Sequence, residues 1–174
     1  MKIKYKIIFR DYWHTGSGMS QGALSDAAVL KDKNGIVYVP GKTIKGLARE
    51  AAKECDKECD VEKCFGQEGD LMSAVVFKNA VLSRDEYETV VAQNLQKYLY
   101  DTLTFTKIDS KGTAQDDTLR EIEVCVPLEL EGEVVVEDDK CAECIVKALK
   151  KIKHIGLMRN RGLGRCHIEI KDEK

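Results

Sequence analysis

Two apolar stripes of helical period, each set between stretches of alternating period, limit what this chain can become. In the first, Ile44, Leu47, Ala48, Ala51, Ala52 and Cys55 recur at i, i+3, i+4, i+7, i+8 and i+11. That is the one-sided pattern of a helix lying on a core. In the second, Cys141, Cys144, Ile145, Ala148, Leu149 and Ile152 do the same, behind Asp138 or Asp139 as the capping residue. Ahead of the first stripe, Ile3, Tyr5, Ile7 and Phe9 alternate with Lys2, Lys4 and Lys6 in a half-buried strand. After the second, Cys166, Ile168 and Ile170 alternate with Arg165, His167 and Glu169 in a closing strand. Residues 73–82 and 133–136 read as further strands, and 86–98 as a short helix. Residues 99–107 and 119–126 read as the arms of a long hairpin around a polar loop. Ala27–Lys31 and Ile36–Pro40 are short extended pieces about an Asp-Lys-Asn-Gly turn at 32–35. The order is βαββαβ with insertions, an α+β ferredoxin-like pattern.

The segment between the second helix and the closing strand carries the chemistry. Gly156-Leu-Met-Arg-Asn-Arg-Gly-Leu-Gly-Arg165 interleaves Arg159, Asn160, Arg161 and Arg165 with Gly156, Gly162 and Gly164. Glycine permits positive φ and close backbone approach, and arginine grips phosphate with a planar fork. The alternative is a glycine-rich turn with solvated arginines. A dinucleotide fingerprint is excluded, because the loop follows a helix and opens a strand. Pro40-Gly-Lys-Thr43 opens the first helix with Lys42, Thr43, Lys45 and Arg49 at or near its start. Cations there oppose the helix dipole and suit a bound phosphate; no P-loop is present. The net charge is only −2, but basic residues crowd 147–165 and acidic ones 116–139, a polarity that suits a polyanion on one face.

Seven cysteines in a chain without a leader pattern are expected as reduced thiols or metal ligands, in the cytoplasm, and not as a disulfide framework. Cys141 and Cys144 are expected as buried thiols. Cys55, Cys59 and Cys64 have C-x3-C-x4-C spacing; they are zinc ligands, with His14, another cysteine or water as the fourth, or free thiols. No apolar run reaches the roughly 18 residues of a membrane span.

Three stretches in order resemble the RAMP superfamily of CRISPR proteins: His14-Thr-Gly-Ser-Gly; Asp26-Ala-Ala-Val-Leu-Lys-Asp with Val37-Tyr-Val-Pro-Gly-Lys-Thr-Ile-Lys-Gly-Leu-Ala-Arg49 and Cys64-Phe-Gly66; and the Gly156–Arg165 loop. They are most similar to the backbone subunit that repeats along type III (Csm/Cmr) effector complexes. The resemblance implies one domain over 1–174 with a modified ferredoxin-like (RRM-like) palm. It implies an inserted β-hairpin thumb at about 99–126 and a cysteine-containing insert at about 55–72. It implies binding of CRISPR RNA and target RNA, assembly with other effector subunits, and stacking on copies or paralogues of itself. The RNA-contact set is His14, Lys42, Thr43, Lys45, Arg49, Arg159, Asn160, Arg161, Gly162, Gly164 and Arg165.

In catalytic members an aspartate after the first glycine loop cleaves target RNA with a divalent metal such as Mg²⁺, and that position is Asp26. A lone carboxylate with water and substrate phosphate suits Mg²⁺; the competing reading is a turn-capping aspartate. Some relatives hold zinc in the insert, which favours structural Zn²⁺ at the cysteines. At 174 residues the chain is short for a backbone subunit and its hairpin is modest. The competing functions are a non-catalytic RNA-binding paralogue, a CRISPR RNA-processing endoribonuclease acting through His14, and a zinc-stabilised module that binds only protein.

Overall fold

The computed structural model describes residues 1–16, 27–55, 60–66, 73–106, 111–113 and 119–171, with backbone alone for Cys55. In chain order the elements are β1 (Lys2–Phe9), α1 (Gly41–Cys55), α2 (Val61–Phe65), β2 (Val75–Phe77), α3 (Arg84–Ala92), β3 (Tyr100–Phe105), β4 (Arg120–Cys125), β5 (Glu129–Val136), α4 (Asp139–Lys151) and β6 (Cys166–Lys171). Short 3-10 turns lie at Gln96–Leu99 and Arg159–Arg161.

One antiparallel sheet has the order β2-β5-β1-β6, the arrangement that βαββαβ connectivity produces. The alternation in β1 sorts its faces as expected. Ile3, Tyr5, Ile7 and Phe9 are buried under the helices, together with Ile44, Ala48 and Ala52 of α1 and Ile145, Ala148 and Leu149 of α4. The opposite face is a ladder of ion pairs, Lys6 with Glu129, Lys171 with Glu131 and Lys78 with Glu133.

Tyr5 is opposite Gly132. A Cβ on that glycine would lie 2.2 Å from the tyrosine ring, so the missing side chain is what seats the ring in the core. The Tyr5 hydroxyl is buried without a hydrogen-bond partner among the described residues, and burial pushes its pKa well above the usual phenol value.

Two expectations change. The strand expected over 73–82 is split: β2 pairs with β5, after which Ala80 bridges to Val39 and Val81 to Glu131. The helix expected over 86–98 starts at a Ser83–Glu86 capping box and ends at Ala92, where Asn94 turns left-handed (φ 53°). The hairpin expected at about 99–126 is present as a separate two-stranded sheet, β3 with β4, in register from Tyr100↔Cys125 to Phe105↔Arg120. The second edge of β4 is also occupied. Cys125 and Trp13 exchange backbone hydrogen bonds of 2.7 and 3.1 Å, and the Glu123 N–H donates to the Ala27 carbonyl at 3.1 Å.

The cysteine expectation needs correction. Cys64 of α2 and Cys141 of α4 form a disulfide, with Cα atoms 5.5 Å apart, and Cys144 is also disulfide-bonded. Cys125 and Cys166 are free and buried. The cause is the docking of α2 on the first turn of α4. Asp60 caps α2, Lys63 pairs with Asp138, the N-cap of α4, and Cys64 and Phe65 enter the core.

Candidate nucleic-acid interface

The glycine loop is clamped at its base. Ile155 N–H donates to the Gly164 carbonyl at 2.9 Å, and Cys166 N–H to the Lys153 carbonyl at 2.8 Å. Two glycines let the loop lie against the backbone that follows β1. A Cβ on Gly156 (φ 103°) would stand 2.2 Å from the His14 carbonyl oxygen, which accepts from the Leu157 N–H at 2.8 Å. Gly164 (φ 74°) is equally tight against the Ile155 carbonyl, and its N–H donates to Tyr12 O at 2.8 Å. Met158, itself left-handed, packs with Ile122, Val124 and Leu163 beneath the loop. The 3-10 turn Arg159–Arg161 therefore stands on a fixed base, with Arg159, Asn160 and Arg161 exposed and the two arginines paired with no acid among the described residues. Gly162 (φ 87°) closes the turn in open space.

Arg165 is placed differently from its neighbours. Its Nε lies 2.9 Å from Asp11 Oδ2 and its Nη2 3.3 Å from Oδ1, a two-point ion pair. Nothing near Asp11 in sequence marks it as this partner.

On α1, Lys42, Lys45 and Arg49 follow i, i+3, i+7 and so share one face of the helix. None has an acidic partner among the described residues, and the Arg49 Nε is buried with no hydrogen bond. Burial, and then the neighbouring Arg49, hold the Lys45 ammonium below the usual lysine pKa. The helix begins at Gly41, whose N–H donates to Asn79 Oδ1 at 2.9 Å. An open groove of about 470 Å³ lies over this first turn, lined by Gly16, Tyr38, Pro40, Lys42 and Thr43.

Arg159 and Asn160 face the opposite flank of α1. They line a second groove of about 310 Å³ with Glu50, Glu54, Lys153 and His154. The expected contact set is thus two cationic clusters astride one helix, joined by residues 14–16. Of the expected residues, His14 is 1% exposed and its Nδ1 lies 2.7 Å from the Glu123 carbonyl, the structural hydrogen bond that its reading left open beside RNA contact.

Asp26 and Cys59 lie outside the described residues, as does the Cys55 side chain. Cys64 is bridged to Cys141 and has no thiolate to offer, so the described residues do not fit the expected zinc set. No group of three His, Cys, Asp or Glu among the described residues could hold a metal ion. No described helix is long and apolar enough to cross a membrane.

The chain matches the family model of the RAMP superfamily over residues 6–167. No curated protein matches it. Among solved structures it is similar to a chain in the cryo-EM structure of the type III-B Cmr-beta bound to cognate target RNA, at 11% identity and a TM-score of 0.77 over 98% of this chain and 97% of that one. It is also similar to a chain in the cryo-EM structure of the type III-B Cmr-beta in the apo state, at 14% identity and a TM-score of 0.76 over 99% of this chain and 98% of that one. At these identities the likeness is one of fold.

Proposed function

Because the chain belongs to the RAMP superfamily, we propose that it is an RNA-binding backbone subunit of a type III RNA-guided effector complex. In this reading it contacts CRISPR RNA, neighbours other effector subunits or copies of itself, and cleaves target RNA through Asp26 with a divalent cation such as Mg²⁺. The observation that carries the reading is the pair of cationic clusters, Lys42–Lys45–Arg49 and Arg159–Arg161, astride α1, none of whose members is ion-paired among the described residues. Neither cluster is paired off for stability, and both stand beside rigid backbone with open grooves. Such contacts hold a phosphate backbone without reading sequence, which suits a subunit whose specificity comes from base pairing. The divalent ion would supply Lewis-acid chemistry at the scissile phosphate.

The test is target-RNA cleavage by the assembled complex with Mg²⁺, comparing wild type with Asp26→Ala. Regularly spaced cuts that vanish in the variant while RNA affinity stays within about twofold are expected. Equal cutting in both removes the catalytic part of the reading. A complex whose RNA affinity does not change with salt removes the RNA-binding part.

A further inference from the structure

Glu123 of β4 engages the chain segments around it with all of its polar groups. Its N–H donates to the Ala27 carbonyl at 3.1 Å. Its carbonyl meets His14 Nδ1 at 2.7 Å. Its Oε2 accepts from the Val29 N–H at 3.0 Å, and its Oε1 meets Lys31 Nζ at 2.6 Å. Lys31 is held from a third side, 3.9 Å above the ring of Tyr100, whose hydroxyl donates to the Gly35 carbonyl at 2.7 Å. The carboxylate side chain is 15% exposed and that of Lys31 27%, so water screens the pair only partly. Glu123 belongs to the hairpin, whereas residues 27, 29 and 31 belong to the stretch that begins directly after Asp26 in the sequence.

We infer that Glu123, with Lys31, is a positioning residue for target-RNA cleavage, locking the backbone at 27–31 to the hairpin. The inference rests on the cleavage reading proposed above. Two arguments favour a role beyond ordinary packing. A hydrophobic side chain at 123 would fill the same space, whereas a carboxylate here must be desolvated and is useful only for the bonds it fixes. The carboxylate bonds fall on Val29 and Lys31, alternate residues of one short stretch whose Ala27 is already held by the Glu123 backbone N–H, so they set its register as well as its distance from β4. A misplacement of about 1 Å at a reacting group lowers rates on the order of 100-fold.

The experiment measures single-turnover cleavage at saturating target RNA in the assembled complex, with cut positions and RNA affinity read in parallel. Glu123→Ala is expected to slow cleavage roughly 10- to 100-fold, leaving affinity within about twofold and the complex assembled. Glu123→Gln keeps an acceptor for the Val29 N–H and is expected to restore most of the rate; Lys31→Met is expected to fall between the two. A Glu123→Ala complex that cuts at the wild-type rate, while Asp26→Ala abolishes cutting, overturns this inference and leaves the cleavage reading standing. A loss in affinity as large as the loss in rate, or no rescue by Glu123→Gln, also overturns it in favour of a merely structural residue. A wild-type complex that never cuts overturns the cleavage reading, and this inference with it.

Discussion

Single residues divide the glycine loop into parts that hold and parts that reach. Gly156 holds, since its φ of 103° and the 2.2 Å approach of the His14 carbonyl leave no room for a methyl group. Gly156→Ala is expected to cost about 2–3 kcal/mol in urea denaturation. Gly162, at φ 87° in open space, pays only the left-handed conformation, so Gly162→Ala is expected to cost about 1 kcal/mol in the same assay. Arg159 and Arg161 reach. Replacing either with alanine is expected to weaken RNA binding and lower the salt slope by about one. Arg165→Ala is expected to do less, because Asp11 already neutralises it; an Arg165 effect as large as that of Arg159 in a salt titration would contradict this order. The glycines and arginines were legible because their chemistry is local. The Asp11–Arg165 pair and the burial of His14 were not, since each is made by residues more than a hundred positions apart.

Among the elements, α1 carries a stability cost that its ligand would relieve. Lys45 binds its proton less tightly folded than unfolded, first through burial and then through Arg49. The unfolded chain therefore holds more protons at this site, and the contribution of Lys45 to stability rises with pH. The penalty is present at neutral pH and disappears above the unfolded lysine pKa. Lys45→Met is thus expected to melt no lower than wild type at pH 7 while binding RNA more weakly; thermal scans beside filter binding read both. The stripe on α1 was readable from its period, and so was that on α4. What joins α2 to α4 was not, because a link between Cys64 and Cys141 spans 77 positions and leaves no periodic trace. Cys141→Ser is expected to lower stability by about 2–4 kcal/mol in denaturant. Thiol counting on the unreduced chain checks the bridge itself.

Across the whole molecule the two faces of the main sheet differ in kind. One is covered by α1 and α4; the other is a ladder in which Lys6, Lys78 and Lys171 are each matched by a glutamate. Matched charges cancel at the distance of a bound strand, and none of the aromatic residues that stack bases in an RRM points from this face. A Lys6→Ala, Lys171→Ala double variant is therefore expected to bind RNA within about twofold of wild type. A larger loss would place RNA on the ladder instead of beside α1. The βαββαβ order was readable end to end, since it needs only the sequence of periods. The docking of residues 13 and 27 on the second edge of β4 was not, because both lie far from β4 in the chain.

That second edge of β4 also gives the hairpin a mechanical character. Hydrogen bonds between antiparallel strands run across the strand direction. A push along the hairpin axis loads the bonds to Trp13, to Ala27 and to β3 together in shear, whereas a sideways pull opens them one after another. The projection is a strut that is stiff end-on and yields to a lateral load.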